Sequence, residues 1–259
     1  MQNEITKFHG LSIPMELDNL PFGPFEVLTD ADFQRKKINL PPGTIASQGY
    51  WQFRLARCVE EVKPAYLVRG VARLNWAAGT TVAATTLDQK KQVLTEDDSA
   101  AVVADEFSHG FYSEDIDSGK FHAVKGNDAC IADATFNITY TPHNTAATAT
   151  KEPFLIRNPY YLVSNDVSET HGFFMGVSLA AHAADADGLW MWLLTKGPGP
   201  CFPGVNFNAV NGGVLTGHIT NNGSIVLQSA ATGQVVAYPM HNVDHSSNPT
   251  YSMCWWDCP

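Results

Sequence analysis

Near the carboxyl end, His241 and His245 in HNVDH precede Cys254 and Cys258 in CWWDC. Two imidazoles and two thiolates can complete a tetrahedral zinc shell, and both internal spacings fall in the loose range for such sites. The order and context are unusual, however. The histidines lie in a loop flanked by Pro, Asn and Ser, and the cysteines straddle Trp255 and Trp256. The expectation is therefore loop histidines and packed or exposed thiols, with no metal and no cofactor.

Other constellations carry chemistry less well. Asp115, Asp117 and Gly119 echo the start of a calcium loop, as do Asp185 and Asp187, but neither run has the later bidentate Glu. Both read as solvated turns. Gly176-Val177-Ser178-Leu179-Ala180 approaches the G-x-S-x-G nucleophile elbow, which needs a sharp strand-to-helix turn. FFMGVSLAA reads instead as one strand, with Ser178 on a face. Glu60 with Glu61, or Glu106 with Glu114, are paired acids on paper only, and solvated surface is the default. There is no Walker A loop and no G-x-G-x-x-G after a strand. The chain is read as not an enzyme. Trp190 and Trp192 share one strand face by period two, which suits a sugar platform, core packing or a subunit contact.

Charged residues are only 16% of the 259, against about 25% in ordinary domains, so Asn, Thr, Ser, Gln and His must supply much of the polar surface. That surface suits broad protein contacts. The net charge of -10, with no Lys or Arg from 197 to 259, argues against nucleic acid or an anionic membrane as partner. MQNEITKFHG has neither a basic n-region nor an apolar h-region, so the chain is expected to be made in the cytoplasm and to leave it, if at all, within a larger particle. Five scattered cysteines are not the dense even framework of a small secreted domain, and mostly reduced thiols are expected.

The elements that must position these residues are strands. Residues 1–48 carry Pro14, Pro21, Pro24, Pro41 and Pro42 among Leu11, Ile13, Leu17, Phe22 and Phe25. Proline at that density disfavours helices and interior strands, so the segment reads as an extended arm docked on the protein's own body or on a neighbouring subunit. Leu17, Phe22 and Phe25 are its anchors, and its removal is expected to leave a folded body. Residues 49–120 form a β-rich region containing WQFRLARCVEEV, AYLVRGVARLNW and TTVAATT. One short helix is predicted over 95–107, from Thr95 as N-cap with Asp98 three residues on. Residues 121–259 form an all-β domain whose strands are separated by turn formers about ten residues apart. The clearest hairpin joins GVLTGHIT to SIVLQSA across Asn221-Asn222-Gly223. The fold class is all-β, mainly antiparallel and sandwich- or barrel-like, with the arm and at most one or two short helices.

Three segments, FFMGVSLAA (173–181), LWMWLLTKGPGPCFPG (189–204) and GGVLTGHITNNGSIVLQSAATGQVVAYPM (212–240), together resemble virion structural proteins of tailed bacteriophages, particularly auxiliary head proteins that decorate or cement the capsid. A G-V-x-L strand, a short strand, a Gly-rich turn and alternating G-x-x-L and A-x-G-x-V carry the likeness. It implies a virion-located, β-rich structural protein that stabilises the head by contacts with the major capsid protein and with copies of itself, as a homo-oligomer in some settings. A tail- or fibre-associated carbohydrate-binding or adhesin-like β domain, using its tryptophans, is the alternative. Proline-rich arm, low charge and lack of a catalytic constellation agree with the first reading.

Overall fold

The computed structural model describes residues 15–70, 90–95, 101–113, 121–132, 134–141, 154–164, 174–201, 215–216, 218–219, 225–226, 235–240 and 252–258. The structure is all-β and mainly antiparallel, as the sequence predicts. In chain order the strands are β1 (Val27–Thr29), β2 (Ile45–Gln48), β3 (Trp51–Cys58), β4 (Leu67–Gly70), β5 (Lys91–Thr95), β6 (Phe111–Ser113), β7 (His122–Asn127), β8 (Thr135–Tyr140) and β9 (Phe154–Ile156). They continue as β10 (Val163–Ser164), β11 (Phe174–Ser178), β12 (Leu189–Cys201), β13 (Leu215–Thr216), β14 (His218–Ile219), β15 (Ile225–Val226), β16 (Val235–Pro239) and β17 (Ser252–Asp257). Among the described residues the one α-helix is α1 (Asp30–Arg35), preceded by a 3-10 turn at Leu17–Asn19. None of the described helices is long and apolar enough to cross a membrane.

The chain divides into two units, Met1–Val71 with Leu162–Pro259, and Ala72–Tyr161. This differs from the sequential division at 48/49 and 120/121. The first unit is assembled from two distant stretches because β3 and β4 find their partners in β10, β11 and β12.

In the first unit the pairings close on themselves: β12 with β11, β11 with β4, β4 with β10, β10 with β3, and β3 with β12. β12 is the hub. It also pairs with β1 at Leu189, Trp190 and Met191, and with β17 from Lys196 to Cys201. Its first half, LWMWLL, is buried on both faces, the pattern of a strand covered on each side. Trp190, Trp192 and Leu194 share a cluster with Phe53 and Leu55 of β3 and with Phe22, Leu28, Phe33 and Leu40. Residues 15–48 are therefore part of this unit's own core, which answers where the proline-rich segment docks. Residues 1–14 of that arm lie outside the described residues.

The prolines of this segment stand between elements: 21 and 24 precede β1, and 41 and 42 precede β2. The elements themselves are regular. α1 is capped by Thr29, whose Oγ1 accepts from the Asp32 backbone N–H at 3.2 Å, and its Phe33 faces inward.

The second unit is a five-stranded antiparallel sheet ordered β5-β8-β7-β6-β9. Leu94, Phe107, Tyr112, Phe136, Ile138, Tyr140 and Leu155 are among its core. The helix predicted over 95–107 is not formed where it is described. Thr95 ends β5, Val102 bridges Cys130, and 104–109 are turns. Local polar capture accounts for this: the Asn127 side chain accepts from Phe107 N and donates to Val103 O, and the Glu106 carboxylate accepts from Val103 N. The expected hairpin is present as the β14–β15 pair, His218 opposite Val226 and Ile219 opposite Ile225, with 220–224 between them. TTVAATT (80–86) lies outside the described residues.

Candidate interaction face

The proposed platform tryptophans are core residues. Trp192 is 1% exposed and packs against Phe22 at 5.7 Å, while Trp190 stacks on Phe33 at 4.1 Å and donates its indole N–H to Asp30 Oδ1 at 2.8 Å. Of the three arm anchors, Phe22 is buried and Leu17 packs partly buried against the same cluster; Phe25 stands 73% exposed.

The zinc reading does not survive for the cysteines. Cys254 and Cys258 are both buried and lie four residues apart along one extended segment. At roughly 3.3 Å per residue their backbones are about 13 Å apart, whereas two thiolates at about 2.3 Å from one zinc must nearly touch. His241 and His245 lie outside the described residues, as do Asp115, Asp117, Gly119 and Glu114. Ser178 lies in a strand, β11, as expected; it is buried there, and its hydroxyl donates to Lys63 O. Glu60 accepts from the Ser164 hydroxyl, and buried Glu106 pairs with Arg157 at 3.2 Å. Asp185 forms a local turn, its Oδ1 accepting from Asp187 N at 3.0 Å.

What the first unit does expose is a row of aromatic, proline and methionine side chains. Along β17 the period-two alternation buries Cys254, Trp256 and Cys258 and turns Met253, Trp255 and Asp257 outward. Along β12 the same period buries Gly197, Gly199 and Cys201 and turns Lys196, Pro198 and Pro200 outward. In register, Tyr238 of β16 lies opposite Trp255, and Trp255 opposite Pro198. Next along the strands, Met253 lies opposite Pro200, and the Met240 backbone N–H bonds Met253 O at 3.1 Å. On the other side the row ends in the Lys196–Asp257 ion pair at 3.4 Å.

The turn between β2 and β3 completes the row. Gly197 has φ +105, and a Cβ there would stand 2.4 Å from Tyr50 O, so the absence of a side chain lets this turn rest directly on β12. A Cβ on Gly199 would likewise meet Leu194 and Trp256, so glycine here gives the inward indole its space. Trp51 donates its indole N–H to Pro198 O at 2.8 Å, and Tyr50 meets the Trp255 ring edge-on at 5.7 Å. Because a strand residue's N–H and C=O point the same way, the missing N–H of Pro198 faces away from β17, beyond the end of β3's pairing, where no ladder bond is lost. Tyr50 (75% exposed), Trp51 (45%) and Tyr238 (43%) are the exposed rings of this face. Trp51 is one of six tryptophans in the sequence, and nothing in its residue type sets it apart. The usable signal is the period-two alternation in GPGPC, glycine and cysteine inward and proline outward, and in SMCWWDC, where Cys254, Trp256 and Cys258 face inward and Met253, Trp255 and Asp257 outward.

Buried thiols of the first unit give a pH dependence. Burial raises the Cys58 pKa to about 11 and the Cys258 pKa to about 12, the latter helped by Asp257; the hydrogen bond with Cys201, then burial, raises Cys254. The folded protein thus keeps these protons to higher pH than the unfolded chain does. Stability is expected to be independent of these thiols below about pH 9 and to fall as pH rises from 9 through 12, by about 1.4 kcal/mol per pH unit for each thiol involved. Thermal melts at pH 8, 10 and 11 read this directly; a flat melting temperature across that range would mean that the thiols are hydrated.

Comparison of the chain with protein-family models, curated proteins and solved structures finds no match.

Proposed function

We propose that this chain is a structural component of a phage particle, a head decoration or cement protein that acts by protein contact, without catalysis, on the major capsid protein and on copies of itself. The observation that carries the reading is the outward-facing row of exposed Tyr50, Trp51 and Tyr238 with half-buried Pro198 and Trp255, flanked by Met253 and Met240, on a sheet whose reverse side is closed core. Aromatic and methionine side chains are enriched at the centres of protein interfaces, and charged ones are depleted there. The rings are held in place before any partner arrives, by the indole bond to Pro198 O and the edge contact of Tyr50 with Trp255, so little side-chain freedom remains to be lost on docking. A net charge of -10 suits contact with protein in preference to packaged nucleic acid.

The second reading, a glycan-binding β domain, rests on the same rings, because Tyr50, Trp51 and Trp255 stand together on one surface. Methionine and proline as their neighbours favour the first. Light scattering behind a sizing column separates the two. The wild type is expected to show a closed oligomer or concentration-dependent assembly. The Tyr50→Ser/Trp255→Ser variant, folded by circular dichroism, is expected to weaken it by at least about 30-fold, since central aromatic anchors typically contribute 2 kcal/mol or more. A monomer indifferent to concentration that binds glycans saturably, with loss in the same variant, would move the assignment to the glycan reading.

A further inference from the structure

We propose that Cys201 and Cys254 are the two halves of a disulfide, formed by exchange with a small-molecule disulfide such as oxidised glutathione, that fastens β12 to β17 under the aromatic face. The two side chains lie on neighbouring antiparallel strands, with Cys201 opposite Ser252 and Gly199 opposite Cys254, so they are diagonal neighbours on the buried face. Their sulfurs stand 2.7 Å apart. A disulfide bond is about 2.05 Å, so the sulfurs need approach by less than about 1 Å, within the existing strand register. Both residues are 0% exposed and belong to the main core cluster of the unit. The other cysteines differ in placement: Cys130 lies in the second unit, Cys58 bonds the backbone of Glu60, and Cys258 follows the end of β17.

The chemistry balances with the named oxidant. One protein thiolate attacks a sulfur of oxidised glutathione and expels a glutathione thiolate, leaving a mixed disulfide. The second protein thiol, losing its proton, attacks the protein sulfur of that bond and releases the other glutathione. Two protein thiols are oxidised and one glutathione disulfide is reduced to two thiols. Because both sulfurs are enclosed, exchange takes place while β17 is separated from β12, during folding or local opening. The bond then joins two positions 53 residues apart and restricts the unfolded chain.

The test uses the full chain. Protein reduced and denatured is refolded in a buffer of oxidised and reduced glutathione, then alkylated in denaturant, digested and mapped by mass spectrometry. The expected result is a fall in alkylated thiols from five to three, an intact mass lower by two hydrogens, and a linked peptide pair containing Cys201 and Cys254. The melting temperature of this form should exceed that of the reduced form by roughly 5–10 °C. Retention of five thiols, glutathione left attached, or linkage through Cys58, Cys130 or Cys258 would overturn the proposal. Mapping the wild type needs no variant to fold. Cys201→Ser and Cys254→Ser should each abolish the linked pair, whereas Cys130→Ser should leave it intact.

Discussion

Phe33→Ala is expected to lower the unfolding free energy of the first unit by roughly 3–5 kcal/mol, a large share of the 5–15 kcal/mol that holds a typical domain folded. The ring is 3% exposed, lies flat on Trp190 at 4.1 Å and 11°, and meets the Phe22 ring edge-on at 6.4 Å. Alanine there leaves a cavity against an indole whose N–H is tethered to Asp30 on the same short helix, so collapse into the space is restrained. Phe25→Ala is the matched control: exposed at 73%, it should change stability by no more than about 0.5 kcal/mol. Urea melts followed by tryptophan fluorescence report on Trp190 and Trp192 directly. A wild-type midpoint for Phe33→Ala would mean that residues 15–40 are a detachable arm after all. The structure predicts the opposite, and the same reasoning makes truncation to residue 41 an unfolding change.

That segment shows what could and could not be read beforehand. Its prolines were legible as breakers of regular structure, and they are, but they sit at the joints between short elements instead of extending the whole stretch. The T-x-x-D capping signature occurs at Thr29–Asp32 as well as at Thr95–Asp98, and the helix forms at the first. Local signals are nearly equal at the two places. What differs is tertiary: α1 has Trp190 to pack against, whereas the backbone at Val103 and Phe107 is held by the side chains of Asn127 and Glu106, the first from a position that no local pattern reveals. The strands were legible through their separators, and the β14–β15 hairpin through Asn221-Asn222-Gly223. The partition was not, since a unit built from two stretches on either side of 72–161 depends on pairings across more than a hundred residues. For the tryptophans, period two correctly put Trp190 and Trp192 on one face. The unbroken apolar run around them, LWMWLL, was the sign that both faces of that strand are covered, and the exposed rings come instead from the turn between β2 and β3, at Tyr50 and Trp51, and from Tyr238 of β16.

Breaking the buried Glu106–Arg157 pair is expected to destabilise the second unit by roughly 3–5 kcal/mol, the usual cost of removing one partner of a desolvated ion pair. Both side chains are under 10% exposed, at 3.2 Å, and the other carboxylate oxygen of Glu106 accepts from the Val103 N–H at 3.1 Å. Glu106→Gln removes the carboxylate charge that faces the Arg157 guanidinium, and Arg157→Met removes the cation that faces the Glu106 carboxylate. The double variant Glu106→Gln/Arg157→Met should recover much of the loss, because both charges of the pair are then gone and the glutamine oxygen can still accept from Val103. Amide hydrogen exchange across β5–β9, which reads this unit separately from the tryptophan-rich one, measures all three variants. Single variants costing under about 1 kcal/mol would indicate that water reaches the pair. The sequence offered Glu106 only as a partner for Glu114, two acids eight residues apart; the structure gives it to an arginine 51 residues away, and with that turns a catalytic suggestion into a fastening of the 103–110 turns to the strand end at β9.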